Sequence, residues 1–176
     1  ESWLASFDKT TGALQWKVAR NYETPAENDH GYATPLVIRF DGREALLTWG
    51  AEHLTVHAAA DGKLLWSAVI PNPHAGKNFP AVASPVLVDN VAVVAFGRSD
   101  RGNPLLFGIP LGRTGTFEAT KQLWQRTDTG TFVPTPTVWQ GKVYLLRDRG
   151  EVECVDPQTG QTVWRDSFPK SSANFY

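Results

Sequence analysis

Short apolar runs separated by turn-forming residues follow one another along the whole chain. In one stretch, ASPVLVD is followed by Asp89-Asn90, VAVVAFG, the polar loop RSDRGN and LLFGIPL. Runs of this length that are rich in β-branched residues and bounded by Gly, Asn and Asp are typical of β-strands joined by turns. Because such residues interrupt every run before the roughly 10 residues that favour a helix, the pattern predicts an all-β protein.

The runs fall into groups of four. The order strand, turn, strand, loop, strand, turn, strand occurs in residues 31–70 and 131–168, and again in residues 81–127, where an insertion precedes the fourth run. Each group therefore predicts an up-and-down antiparallel sheet of four strands. Hydrophobic and polar residues alternate only weakly within the runs, which is typical of a sheet that is covered on both faces.

A sequence motif recurs at the turn between the third and fourth runs. FDKTTGALQW at residues 7–16 and VDPQTGQTVW at residues 155–164 share an Asp, a Thr-Gly pair and a Trp at identical offsets. HAAADGKLLW keeps Gly62 and Trp66, whereas Trp124 follows the insertion. The tryptophans Trp16, Trp66, Trp124 and Trp164 are 50, 58 and 40 residues apart, which is the size of a four-stranded propeller blade.

The motif has the composition of a tight hairpin turn followed by an outer strand. Glycine adopts positive φ at no steric cost, and Asp and Thr side chains hydrogen-bond to the amides of their own turn. We expect the Trp ring to pack against the adjoining blade and its N–H to find a backbone acceptor. Trp164→Ala is accordingly expected to cost a few kcal/mol of stability.

These residues resemble the repeats of the pyrroloquinoline-quinone-type (PQQ-like) β-propeller family, whose motif is a small residue, x, Asp, x, x, Thr, Gly, x, x, x, Trp. The matching positions are Ser6, Asp8, Thr11, Gly12 and Trp16, then Gly62 and Trp66, then Trp124, and finally Cys154, Asp156, Thr159, Gly160 and Trp164. The resemblance covers essentially the whole chain. It implies a propeller that is more similar to the non-enzymatic outer-membrane-assembly propeller lipoprotein than to the quinoprotein dehydrogenases.

The predicted fold is an all-β β-propeller segment of about three and a half four-stranded antiparallel blades. Residues 1–20 form the third and fourth strands of one blade, residues 31–70, 81–127 and 131–168 form complete blades, and residues 169–176 begin another. Since propellers usually have roughly 4 to 8 blades, such a segment is an incomplete ring. We therefore expect either a larger propeller of about seven or eight blades, or two copies of this piece that complete a ring.

Composition and charge narrow the classes of partner. With 17 Lys and Arg against 18 Asp and Glu, the formal net charge is -1, which provides no basic field for nucleic acid or for an anionic membrane. No stretch approaches the roughly 20 apolar residues of a membrane span, and the first residues lack the regions of a signal peptide. Because the sequence contains no Met, we expect an internal piece of a longer chain.

The loops that join successive blades lie on the same side of a propeller as the loops between second and third strands. This side carries the candidate interaction residues, which are His30, His74, Arg98, Asp100, Arg101, Arg147, Asp148 and Arg149. Their guanidinium and carboxylate groups are able to bind polar groups of a partner. Solvated loop charge without a specific ligand is the alternative interpretation.

Three further residues have side chains that could react or bind a metal ion, but the pattern predicts structural positions for them. Cys154 is the only cysteine, and its position on a strand predicts a buried and inert thiol. His53 and His57 lie about 13 Å apart if they share a strand, so we expect surface or edge histidines without a shared metal ion. No catalytic, cofactor-binding or metal-binding residue is predicted in this chain.

We therefore expect a non-catalytic scaffold without a cofactor that binds protein or polymeric ligands through the loop side. Its further partners are the remaining blades of the propeller or a second copy. The resemblance implies a periplasmic or extracytoplasmic location. It also implies an alternative, a fragment of a dehydrogenase that depends on PQQ and calcium and whose family carries adjacent cysteines and calcium ligands. A sensor domain of a signalling protein is a second alternative.

Overall fold

The computed structural model describes residues 1–25, 27–73, 79–98, 101–115, 117–119 and 122–169. In this part of the chain no α-helix occurs, and 15 β-strands form. In chain order they are β1 (Trp3–Phe7), β2 (Leu14–Ala19), β3 (Leu36–Phe40), β4 (Arg43–Gly50), β5 (His53–Ala58), β6 (Leu64–Val69), β7 (Val86–Val88), β8 (Val91–Arg98), β9 (Asn103–Pro110), β10 (Phe117–Ala119), β11 (Trp124–Arg126), β12 (Thr137–Trp139), β13 (Lys142–Leu146), β14 (Glu151–Val155) and β15 (Thr162–Ser167).

Four sheets follow one another along the chain. The first sheet is the antiparallel hairpin β1-β2, and the others have the strand orders β3-β4-β5-β6, β7-β8-β9-β11 and β12-β13-β14-β15. Within each of these orders every neighbouring pair of strands is antiparallel. The prediction of an all-β propeller segment with four-stranded antiparallel blades is therefore confirmed, and the described sheets do not close into a ring.

The apolar core lies between successive sheets. The larger cluster joins the second and third sheets and contains the buried side chains of Leu47, Trp66 and Phe96. A smaller cluster joins the third and fourth sheets and contains Val88, Val91, Val93, Ala95, Leu106, Val143, Leu145 and Val155. Nearly every residue of β8 is buried because this strand has a sheet on each side. This two-sided burial explains why the sequence alternates only weakly.

The recurring motif is a turn, as predicted. The carboxylate of Asp8 accepts hydrogen bonds from the amides of Thr10 and Thr11 at 2.9 and 2.7 Å and from the Thr11 hydroxyl at 2.9 Å. Gly12 completes the turn with a φ of 72°. These hydrogen bonds lower the pKa of Asp8, the largest contribution being the amide of Thr11. The carboxylate of Asp156 caps the last turn in the same way.

Two of the motif tryptophans, Trp16 and Trp124, join neighbouring sheets, as predicted for this position. The indole N–H of Trp16 donates to the carbonyl of Ala59 in the second sheet at 3.0 Å. Its ring lies so close to Gly62 that a Cβ there would stand 2.7 Å from Cε3. Trp124 repeats this contact on the fourth sheet, where its N–H donates to the Pro157 carbonyl at 2.8 Å. A glycine is therefore required at the turn both for its backbone and for the ring that lies on it.

Trp164 differs from the other motif tryptophans. It lies in β15 at the outer edge of the fourth sheet, contacts the ring of Tyr144 at a centroid distance of 6.0 Å, and remains 44% exposed. The loss of stability expected for Trp164→Ala is therefore too large, because a ring that is already half-exposed gains less from burial than a fully buried one. Of the predicted final segment 169–176, only residue 169 lies within the described residues.

The insertion in the third sheet forms an element that the sequence did not predict. β10 leaves its own sheet and pairs in parallel with β6, so that Phe117 aligns with Ser67 and Ala119 with Val69. The preceding turn is tied to the second sheet by Thr114, whose amide and hydroxyl donate to the carboxylate of Asp41 at 2.8 and 2.6 Å. We call Thr114, Gly115 and β10 the clasp. It covers the outer edge of the second sheet.

A line of hydroxyl groups connects the segments that precede the innermost strands. The amide of Thr34 donates to the Ser84 hydroxyl at 2.8 Å, and the amide of Ser84 donates to the Thr135 hydroxyl at 3.1 Å. A proline follows each of these three residues. These Ser/Thr-Pro pairs recur 50 and 51 residues apart in the sequence. This spacing indicates the connection, which our sequence analysis did not predict.

Candidate interaction surface

The connections between sheets lie side by side on one face of the molecule, together with the β4-β5, β8-β9 and β13-β14 loops. We call this the loop face. The amide of Tyr32 donates to the Ala81 carbonyl at 2.7 Å, and the amide of Ala83 donates to the Phe132 carbonyl at 3.2 Å. Hydrogen bonds between successive connections therefore hold the backbone of the loop face in register, independently of the side chains that it presents.

Arg98 and Asp148 meet at the connection between the third and fourth sheets. The Arg98 guanidinium carbon lies 4.8 Å from the centroid of the Phe132 ring, in a cation–π contact. The carboxylate of Asp148 accepts hydrogen bonds from the amides of Phe132 and Val133 at 3.1 and 3.3 Å. Asp148 is buried, so its prediction as a partner-binding residue is wrong. Its carboxylate instead fixes the backbone beneath Arg98.

The other arginines of the loop face surround this pair. Arg147 forms an ion pair with Glu151 at 2.5 Å and is largely buried, so its charge is offset locally. Arg101 and Arg149 are exposed. The carbonyl of Arg101 accepts a hydrogen bond from the Asn103 side chain at 2.8 Å, which orders the tip of the β8-β9 loop. The exposed guanidinium groups of this region are those of Arg101 and Arg149, and Arg98 lies half-buried against Phe132.

His30 lies on the loop face but at its other end. Its ring packs edge-on against Tyr32 at a centroid distance of 6.4 Å, and its Nε2 is 3.7 Å from the carboxylate of Asp29. It belongs to the connection between the first and second sheets, whereas the arginines belong to the third and fourth sheets. His74 and Asp100 lie outside the described residues.

Asn28 is a structural residue of the loop face that the sequence interpretation missed. Its side-chain amide donates to the Glu52 carboxylate at 2.7 Å, and its carbonyl oxygen accepts from the amide of Phe79 at 2.7 Å. Asn28 is buried, so it joins three segments in one polar contact. A loop asparagine carries no periodic signal, which is why the pattern of the chain did not identify it.

Glu153 is the fully buried acid of the fourth sheet, and it was also missed. Its carboxylate accepts hydrogen bonds from Arg126 at 2.8 Å, Arg165 at 2.9 Å, the Thr162 hydroxyl at 2.5 Å and the Thr129 hydroxyl. Burial raises its pKa, but the Thr129, Thr162 and Arg126 interactions outweigh burial and hold the pKa below the ordinary value. The group therefore remains charged and joins the third sheet to the fourth.

The equivalent position in the second sheet is Thr55, seven residues before its turn glycine as Glu153 is before Gly160. The buried Arg20 donates to the Thr55 hydroxyl at 3.2 Å and to the carbonyls of Gly50 and His53 at 3.2 and 2.9 Å. Burial lowers the pKa of Arg20. At both equivalent inner positions, Thr55 and Glu153, an arginine from the preceding sheet donates a hydrogen bond to the side chain.

The two candidate histidines of β5 have different environments. His53 is the first residue of β5, and its ring stacks on the ring of Tyr22 with a centroid distance of 3.7 Å. His57 is buried, and its Nδ1 lies 2.9 Å from the Gly62 carbonyl, so its prediction as a surface or edge residue is wrong. Its side chain fills the space between sheets beside the turn. Burial lowers the pKa of His57, which keeps the ring neutral.

The adjacent cysteines that the resemblance to quinoprotein dehydrogenases implies do not occur in this sequence. Cys154 is the only cysteine in the sequence and is buried in β14, where it pairs with Tyr144 and Trp164 across the strands. Its prediction as a buried thiol is confirmed. Among the described residues, no group of three or more His, Cys, Asp or Glu side chains is placed to hold a metal ion.

Sheets of four antiparallel strands, joined by a Trp that lies on the turn glycine of the next sheet, define a propeller built from PQQ-like repeats. Residues 2–166 match the family model described as "Outer membrane protein assembly factor BamB". The chain belongs to this family. Within the described residues, no helix has the length and hydropathy that crossing a membrane requires.

Similar proteins include both assembly factors and enzymes. The tetrathionate hydrolase of Acidianus ambivalens is 32% identical over 130 residues, which are 64% of this chain and 22% of that protein. BamB from Moraxella catarrhalis is similar in structure with a TM-score of 0.65 and 19% identity, over 96% of this chain and 47% of that chain. A europium-containing methanol dehydrogenase has a TM-score of 0.68 and 12% identity, over 96% and 38%.

This chain therefore spans less than half the length of each of these relatives. At identities of 12 and 19%, the solved structures establish the shared fold alone. The family includes proteins described as assembly factors, whereas the relatives include enzymes, so the fold does not decide between binding and catalysis.

Proposed function

We propose that this chain is a non-catalytic scaffold whose loop face binds an acidic segment of a protein partner. The observation that carries the proposal is the construction of the cationic region. Arg98 is held over Phe132, whose amide is fixed by the buried Asp148. Exposed Arg101 and Arg149 stand on the neighbouring loops. A rigid backbone that presents guanidinium groups binds carboxylates with little ordering cost.

The family description supports a periplasmic location and an assembly role, because it names an outer membrane protein assembly factor. The proposal does not require the whole protein to lack activity. It concerns the loop face of this chain and assigns to it a binding role that uses neither a metal ion nor a cofactor.

The experiment is a titration with fluorescein-labelled poly-L-glutamate, followed by fluorescence anisotropy at low and high salt. We expect binding that weakens with salt. The combined change of Arg98, Arg101 and Arg149 to Ala should weaken it about tenfold, because exposed ion pairs contribute roughly 0.2 to 1 kcal/mol each. The matched control changes Arg39, Arg43 and Arg113, which lie on the opposite face, to Ala.

Both triple variants remove the same charge, so only the position differs. If the opposite-face variant weakens binding as much as the loop-face variant, the attraction is non-specific and the proposal fails. If the unchanged chain shows no binding at low salt, the proposal fails as well.

A quinone-dependent dehydrogenase fragment is the second candidate, because the same fold occurs in a methanol dehydrogenase and the fold does not decide between binding and catalysis. The test is to add pyrroloquinoline quinone and Ca²⁺, remove the unbound quinone and record the absorbance of the protein. Retained quinone absorbance together with reduction of a redox dye would favour this candidate over the scaffold.

A further inference from the structure

The clasp belongs to the insertion of the third sheet, but it pairs with the second sheet. The Gly115 amide donates to the Leu65 carbonyl at 2.7 Å, and β10 continues the contact beside Ser67–Val69. This pairing is parallel, whereas every other pair of described strands is antiparallel. The clasp therefore occupies the outer edge of β6 in the way that an added strand from another protein occupies a sheet edge.

The outer strand of the second sheet differs from the other outer strands in its charge. β6 has the sequence LLWSAV and contains no charged residue. Charged residues occur in the other outer strands, and they are Lys17 in β2, Arg126 in β11, and Arg165 and Asp166 in β15. Charge on an edge strand disfavours pairing with a further strand, and an uncharged edge favours it. Among the described sheets, the second thus has the outer edge that is best suited to accept a strand.

The contact with the clasp shows which backbone groups this edge offers. Because the Leu65 carbonyl accepts from Gly115, the backbone groups of Leu65, Ser67 and Val69 face outwards, and those of the residues between them face β5. β6 has six residues, and β10 aligns with three of them. A longer extended segment is therefore able to pair over more of β6 than the clasp does.

The clasp is able to leave this edge while its own sheet stays intact. Both ends of the insertion are fixed on the third sheet, where the Leu111 amide donates to the Asn90 carbonyl and the Leu123 amide to the Gly108 carbonyl, each at 2.8 Å. On the second sheet, the clasp is held by its strand pairing and by the two hydrogen bonds to Asp41. Release of the clasp opens these contacts and leaves the contacts on the third sheet in place.

We propose that the outer edge of β6 is a strand-docking site, where an extended and uncharged segment of a partner protein pairs with β6 in place of the clasp. The clasp is the built-in occupant that keeps this edge closed when no partner is present. The partner is recognised through its main chain, because an edge strand offers a row of N–H and C=O groups. This site uses the backbone of β6 and none of the arginines of the loop face.

The experiment titrates the whole chain with a fluorescein-labelled peptide of alternating Thr and Val, with a Lys at each end for solubility, and records fluorescence anisotropy. The clasp is opened by Asp41→Gly together with Gly115→Pro, which removes the amide that donates to Leu65. We expect the opened chain to bind the peptide about tenfold more tightly than the unchanged chain, because the peptide no longer competes with the clasp. Ser67→Pro in the opened chain should abolish binding, since it removes an outward N–H group.

Matched controls accompany the titration. Asp89→Gly changes the equivalent turn of the third sheet and should bind the peptide as the unchanged chain does. The same peptide with a central Pro should not bind, because Pro does not donate to a strand ladder. Circular dichroism verifies that each variant is folded, and Val69→Pro takes the place of Ser67→Pro if the latter does not fold.

The proposal is overturned if the opened chain does not bind the peptide, or if the opened and unchanged chains bind it equally. Binding that survives the Pro substitution in β6 would overturn it as well, since the peptide would then lie elsewhere. Sedimentation equilibrium examines a second copy as the occupant. A doubled mass of the opened chain that persists in excess peptide would assign the edge to that second copy and overturn the proposal.

Discussion

At the scale of single residues, two contacts hold neighbouring sheets together. One is the motif Trp on the turn glycine of the next sheet, as Trp124 lies on Gly160. The other is an arginine that reaches a buried oxygen in the following sheet, as Arg20 reaches Thr55 and Arg126 reaches Glu153. The first contact was evident from the sequence because its residues recur at fixed offsets. The second was not, because its acceptor changes from Thr to Glu.

The Trp contact predicts a large difference between two tryptophans. Trp124→Ala should cost about 3 kcal/mol of unfolding free energy, because it removes a ring from between two sheets together with its hydrogen bond to Pro157. Trp139→Ala is the control, since Trp139 is 64% exposed and should contribute less than about 1 kcal/mol. Urea unfolding measures both, and equal costs would contradict the assigned role of Trp124.

The charge of Glu153 predicts a dependence of stability on pH. Its pKa in the folded chain lies below the ordinary value of 4.5, so the folded state favours the ionised form. This contribution is complete above about pH 4.5 and is lost as the pH falls through the folded pKa. Glu153→Gln should cost roughly 3 kcal/mol at neutral pH, since it leaves Arg126 and Arg165 without their shared buried charge.

The measurement is urea unfolding of the unchanged chain and the variant at pH 7 and at acidic pH. The cost of Glu153→Gln should shrink as the pH falls below about 4.5. Glu151→Gln is the matched control, because that acid is half-exposed and pairs with Arg147 in the same sheet. A cost of Glu153→Gln that is the same at both pH values would show that its charge does not stabilise the fold.

At the scale of elements, the sequence predicted the strands and their antiparallel order because turn residues bound short apolar runs, even where the strand is exposed, as β15 is. It did not predict the clasp, since the pairing of Phe117–Ala119 with Ser67–Val69 joins residues about fifty positions apart in a region without periodicity. The candidate site was predicted only in outline. The loops come together as expected, but Asp148 is a buried structural group and Asn28 was missed.

The clasp is expected to depend on Asp41. Its carboxylate accepts both hydrogen bonds from Thr114, and these hydrogen bonds lower its pKa. Asp41→Gly should release the clasp, and amide hydrogen exchange should become faster in Ser67–Val69, which lies beneath it. Glycine accommodates the φ of 47° at Asp41 without strain.

Asp89→Gly serves as the control, because Asp89 occupies the equivalent turn of the third sheet with a φ of 53°. It should leave exchange in Ser67–Val69 unchanged. Unchanged exchange there in Asp41→Gly would show that β10 is held by its strand pairing alone.

At the scale of the whole molecule, the chain is a propeller segment of the family described as outer membrane protein assembly factor BamB. The turns that carry the motif glycines lie on the side opposite to the loop face, so the residues that maintain the architecture are separate from the loops. A loop face that is fixed by backbone hydrogen bonds can present different side chains without a change of fold. The proposed binding role therefore concerns the loops and not the motif.

The most direct test of the scaffold account is amide hydrogen exchange of the chain with and without poly-L-glutamate. We predict that bound polymer slows exchange in the β8-β9 and β13-β14 loops around Arg98, Arg101 and Arg149, and leaves the turns at 41–42, 89–90 and 140–141 on the opposite face unchanged. Slower exchange at those opposite turns, with the two loops unaffected, would contradict the assignment of the loop face as the binding surface.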